Sequence, residues 1–127
     1  MNQPEVKLGE AIQFSADLQE IFVTDAGAVY QCDKQNRLLV NFAGSVAKLK
    51  VETFLRLKKA VDSIDLSTMA VNTGRCSDYE LITVFGCEKL YVLTLPEIYS
   101  FKELLGGAKF VLQLNSMLHE RLFAQPA

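Results

Sequence analysis

Four residues could carry nucleophilic or metal chemistry: Cys32, Cys76, Cys87 and His119. A thiolate beside an imidazole is the minimal nucleophile–base pair. Cys32–His119, Cys76–His119 and Cys87–His119 are all open pairings, and no spacing favours one of them. A lone cysteine more often serves as a small core residue. The segment HERLF places Phe123 where a zinc-binding H-E-x-x-H helix needs its second histidine, so that site is excluded. His119 then reads as a helix-end residue meeting the C-terminal dipole. No two cysteines stand at C-x-x-C spacing, and no metal or cofactor site is expected. Gly74 and Gly86 are isolated and Gly106-Gly107 falls inside a helical pattern, so no phosphate-cradling loop is present. GSVA has Ala47 where a nucleophile elbow needs glycine. The acid pairs Asp62/Asp65 and Asp78/Glu80 read as solvated helix-end and strand-edge charges. No catalytic residue is assigned.

A second chemistry is anion binding. The net charge of −2 conceals a pattern: residues 1–33 hold six acids and one base, residues 34–59 seven bases and one acid, and residues 60–127 eight acids and five bases. Arg37, Lys48 and Lys50 could line a groove for single-stranded nucleic acid or another anion, with Tyr30 as a stacking platform. Against this stand the acidic total, the absence of tryptophan and the placement of most phenylalanines in apolar stripes. A solvated basic face is the simpler account.

The elements that position these residues follow from periodicity. Residues 1–19 read as an irregular arm with Pro4 and Gly9. EIFVT (20–24), AVYQC (28–32), RLLVNF (37–42) and SVAKLK (45–50) read as strands. A two-residue turn at Ala43-Gly44, with Gly44 at positive φ, sets Phe42 against Ser45, Val40 against Ala47 and Leu38 against Leu49 on an apolar face. The other face carries Asn41 with Val46, Leu39 with Lys48, and Arg37 with Lys50. Residues 51–64 form a helix with the stripe Phe54, Leu57, Val61 and Ile64. Residues 65–78 connect, with a short helical turn near Leu66–Val71. YELITVF (79–85) and KLYVLTL (89–95) form a hairpin about FGCE, Gly86 taking the first central position. Pro96 opens a helix running to Phe123, roughly 40 Å long.

LKVETFLRLKKAV (49–61) is echoed by LTLPEIYSFKELL (93–105), with apolar residues coinciding at Leu49/Leu93, Val51/Leu95, Phe54/Ile98, Leu57/Phe101, Ala60/Leu104 and Val61/Leu105. The expected fold is one α+β domain over residues 1–127: an antiparallel sheet built from two meander-plus-helix halves, 20–65 and 79–123, with the long C-terminal helix packed on the sheet. That helix is apolar around most of its circumference, and one sheet face is not enough to cover it. Phe110, Leu114, Met117 and Leu118 are the expected interface residues, and a homodimer the expected assembly. Gly106-Gly107 permits close backbone approach, a kink, or a break into two helices.

The run VYQCDKQNRLLVNFAGSVAKLKVETFLRLKKAV, with the echo LPEIYSFKELL, resembles small bacterial proteins of unknown function found mainly in Bacteroidetes. The likeness lies in a strand ending in QC, a following LLVNF and a helix carrying Phe54. A second cysteine often follows the first closely in those proteins; here Gln35 stands three residues after Cys32, which removes any metal-binding implication. The resemblance implies no activity to transfer. Three cysteines, an odd number, no signal-like N-terminus and no long apolar run lead to the expectation of a cytoplasmic protein with reduced thiols and no membrane segment. The function expected is a non-enzymatic, self-associating module that also meets an unidentified protein partner. The alternative is the anion or single-strand binder. A small-molecule enzyme would need a deep pocket.

Overall fold

A computed structural model describes residues 18–32, 35–71 and 79–123, with side chains through Leu118. The N-terminal arm, Cys76, Asp78 and the His119 side chain lie outside the described residues. Four strands, β1 (Leu18–Thr24), β2 (Gly27–Cys32), β3 (Arg37–Phe42) and β4 (Ser45–Leu49), make an antiparallel meander in sequence order. Helix α1 (Val51–Asp62) and the short α2 (Leu66–Val71) follow. Among the described residues, strands β5 (Tyr79–Ile82) and β6 (Tyr91–Thr94) pair only with each other, and α3 (Leu95–Phe123) follows β6. The class is α+β with the C-terminal helix on the sheet, as expected. The strands form a four-stranded and a two-stranded sheet rather than one.

The β3–β4 hairpin has the expected register: Phe42 opposite Ser45, Val40 opposite Ala47, Leu38 opposite Leu49. Both turn residues have positive φ, Ala43 at 55° and Gly44 at 78°, the pair of conformations a right-twisted two-residue hairpin requires. Alanine carries a Cβ penalty there that glycine does not. Arg37 and Lys50 do not face each other in the ladder, because β4 ends at Leu49 and Lys50 is the N-cap of α1.

A β-bulge in β1 falls between Glu20 and Phe22. It turns consecutive residues, Ile21 and Phe22, toward the apolar core. That core unites Val29, Leu38, Val40, Phe42 and Leu49 of the sheet with Phe54, Leu57 and Val61 of α1. Helix α3 supplies Ile98, Phe101, Leu104, Leu105 and Ala108. Phe101 stacks on Phe42 with ring centroids 4.2 Å apart.

Four of the six echoed pairs, Leu49/Leu93, Phe54/Ile98, Leu57/Phe101 and Val61/Leu105, are buried on both sides; Val51 is exposed where Leu95 is half-buried, and Ala60 is half-buried where Leu104 is buried. Each echoed segment closes a hairpin and opens a helix onto the same core. The second unit has only the hairpin, whereas the first has the full meander.

The turn at Phe85-Gly86 differs from expectation. The ladder stops at Ile82–Tyr91, and the chain from 83 to 90 forms a wider loop. Within it the Cys87 N–H donates to the Val84 carbonyl (3.1 Å), and Gly86 has φ of 93°. Gly86 therefore occupies the second central position of the turn, where positive φ is required, rather than the first. Two buried residues drive this: the Cys87 side chain enters the core, and Gly86 lies against Thr53 of α1. A Cβ at Gly86 would stand 2.9 Å from the Thr53 hydroxyl oxygen.

Candidate interaction surface

Helix α3 begins where β6 ends, with no residue between them. Thr94 and Glu97 close that junction. One Glu97 carboxylate oxygen accepts hydrogen bonds from the Thr94 N–H (2.8 Å) and the Thr94 hydroxyl (3.1 Å). This is the returning half of a capping box, and it uses an N–H that the helix cannot satisfy. The sequence signal was T-x-x-E; Pro96, expected at the first helical position, stands second. Farther along, the Lys102 ammonium donates to the Ile64 carbonyl (2.9 Å), tying α3 to the end of α1.

The helix does not break at Gly106-Gly107, and the two glycines differ. A Cβ on Gly107 would fall 2.2 Å from the Phe22 ring, so its absence lets β1 seat an aromatic ring on the helix backbone. A Cβ on Gly106 would meet nothing within 4 Å. Among the described side chains, Ala108 is the last fully buried one of α3. Val111 and Leu112 still touch the core edge, and the described side chains from 116 to 118 are exposed.

All four residues expected at an interface are exposed: Phe110 65%, Leu114 42%, Met117 59% and Leu118 50%. Tyr99 joins them. At ~100° per residue, Tyr99, Gly106, Phe110, Leu114 and Met117 fall on the side of α3 opposite Ile98, Phe101, Leu105 and Ala108. A helix whose inner face fills a core and whose outer face carries large apolar groups has two packing faces.

A second apolar surface escaped the sequence reading. Leu81 and Val92 stand opposite each other on the outer face of β5–β6, and both are exposed. Leu90 and Phe85 lie exposed in the loop beyond them. Ile82, Tyr91 and Leu93 point inward. The near-continuous apolar run of KLYVLTL was the available signal.

The basic residues are only partly brought together. Arg37 and Lys50 line one open depression of about 550 Å³ with Asn36, Val51, Glu52 and Leu55. Lys48 is not among its lining residues; it lies in a cross-strand row with Leu39, Tyr30 and Glu20. Partial burial and the Glu20 carboxylate both raise the Tyr30 phenol pKa. An acid beside the proposed stacking platform repels a phosphate. The Arg37 guanidinium already donates to the carbonyls of Gln35 and Asn36, both at 3.1 Å.

Cys32 and Cys87 are buried. Among the described residues, no three His, Cys, Asp or Glu side chains lie close enough to hold a metal ion. No helix of the described residues is long and apolar enough to cross a membrane. The most unusual polar group is the Tyr91 hydroxyl, buried without a hydrogen-bond partner. Burial, and secondarily the charge Cys87 can carry, push its pKa well above the usual tyrosine value.

The architecture is thus an α+β sheet-and-helix domain with two exposed apolar faces. Neither a family model, nor a curated protein, nor a solved structure matches the chain.

Proposed function

We propose that this chain is a cytoplasmic, non-enzymatic interaction module that self-associates through the outer face of α3 and presents the assembly to a protein partner. The supporting observation is the exposure of Phe110, Leu114, Met117 and Leu118 on one continuous helix whose opposite face is already buried. Grouped exposed side chains of this size mark contact surfaces more often than scattered ones. Light scattering across a concentration series tests the proposal. The wild-type chain is expected at twice the protomer mass at micromolar concentration. Phe110→Glu with Met117→Glu is expected to give a protomer with an unchanged circular-dichroism spectrum. The single Phe110→Glu change should weaken the dimer by about 2 kcal/mol, the scale of an aromatic hot spot. A wild-type chain that stays at protomer mass throughout removes the proposal.

The anion-binding alternative is supported only by the shared position of Arg37 and Lys50 at one depression. A single-stranded oligonucleotide titrated at two salt concentrations decides it, since phosphate contacts weaken as salt rises.

A further inference from the structure

We infer that the self-association is antiparallel, two copies of α3 crossing their outer faces about a two-fold axis level with Ala108, so that Phe110 of each seats on Gly106 of the other. This inference rests on the proposed self-association and specifies its geometry.

Three observations carry it. The first is the spacing of the outer face. Tyr99, Glu103, Gly106, Phe110, Gln113 and Met117 follow one another at intervals of four, three, four, three and four. That is the repeat by which one helix keeps a seam against another. Five of them are exposed and Gly106 is half-buried, so the seam lies open along about 27 Å of helix.

The second is the pair of glycines. Gly107 has an intramolecular reason, the Phe22 ring. Gly106 has none, yet glycine in a helix interior is less favourable than alanine. One turn away on the same face stands Phe110, the most exposed large apolar side chain among the described residues of the helix. A notch and a knob of matching scale on one surface are what a two-fold contact requires, because each copy must present both.

The third decides the direction. The six seam residues are symmetric about position 108: Gly106 with Phe110, Glu103 with Gln113, Tyr99 with Met117. Antiparallel pairing brings these partners level. The Phe110 ring enters the partner's Gly106 notch. The Glu103 carboxylate accepts from the partner's Gln113 amide, and the Met117 thioether meets the partner's Tyr99 ring, a favourable sulfur–aromatic contact. Parallel in-register pairing instead sets Glu103 against Glu103, a like-charge contact, and Gly106 against Gly106, a void. Leu114 flanks the seam in either case.

Cysteine cross-linking in a Cys76→Ser background tests the register, with light scattering run beside it. Glu103→Cys and Gln113→Cys proteins are expected to form disulfide-linked dimers when mixed and oxidised, and little when each is alone. Linkage of Glu103→Cys to itself, or of Gln113→Cys to itself, in a chain that light scattering shows to be dimeric overturns the antiparallel register and leaves the self-association standing. A chain at protomer mass by light scattering removes both. Gly106→Leu provides an independent check: the helix gains propensity, so the protomer should unfold no more easily, while dimer dissociation rises at least tenfold. A dimer of unchanged affinity in Gly106→Leu excludes the notch.

Discussion

The Tyr91 hydroxyl shows how one atom sets a testable balance. The residue is 3% exposed, its ring packs against Phe101 at 4.9 Å, and its oxygen has no partner. A buried polar group without a hydrogen bond forfeits its hydration with nothing in return, a cost of about 1–3 kcal/mol. Tyr91→Phe keeps the ring and removes the oxygen, and is expected to raise unfolding free energy by about 1 kcal/mol in urea titrations. The pH dependence follows from the raised pKa. The unfolded phenol ionises near the ordinary tyrosine value of about 10, whereas the folded one holds its proton to higher pH. The unfolded chain therefore binds fewer protons above that point, and stability falls as pH rises beyond about 10. The stability present below pH 10 should be lost less steeply in Tyr91→Phe than in wild type, as read from denaturation midpoints between pH 8 and 11. None of this was visible in KLYVLTL, where alternation marks Tyr91 as inward-facing but says nothing of what its oxygen meets.

At the scale of elements, helix α3 depends on one residue of a strand far away in sequence. Gly107 makes room for Phe22, which the β1 bulge turns inward. Gly107→Ala gains helix propensity but drives a methyl group into the ring, and overpacking of this kind costs about 1–3 kcal/mol. The net expectation is a loss of stability, with the melting temperature lowered. In a Phe22→Ala background the same Gly107→Ala change should turn neutral or stabilising, a double-mutant cycle that isolates the contact. The contrast explains what the sequence could and could not convey. The β3–β4 register was legible because Ala43-Gly44 and the flanking alternation are local. The stripe Phe54, Leu57 and Val61 was legible for the same reason. Gly106 and Gly107 look identical in sequence, and only the long-range approach of Phe22 separates them. The β5–β6 turn was misplaced by one residue because the burial of Cys87 and the approach of Gly86 to Thr53 decide it, and both exist only in the folded protein. The Thr94–Glu97 cap was legible as T-x-x-E, whereas Pro96 does not fix the start by itself, since proline fits any position of the first turn that needs no N–H.

For the whole molecule, the proposed assembly links stability to concentration. If two copies share the α3 seam, association stabilises the folded state by mass action. Melting temperature is expected to rise with protein concentration in wild type and stay level in the Phe110→Glu, Met117→Glu double variant, as measured by scanning calorimetry over a hundredfold range. The second apolar face of α3 was legible from the sequence because the apolar residues run round most of the helix and the inner face takes up only part of them. The outer face of β5–β6 was less so, since a short apolar strand reads the same whether one or both of its faces are covered.

The junction of β6 and α3 has no spacer, and the Thr94–Glu97 contact braces it. With no spacer between them, the burial of Tyr91 and Leu93 dictates where the first turn of the helix starts, so an insertion of even one residue at Thr94-Leu95 would rotate Ile98 and Phe101 out of the core.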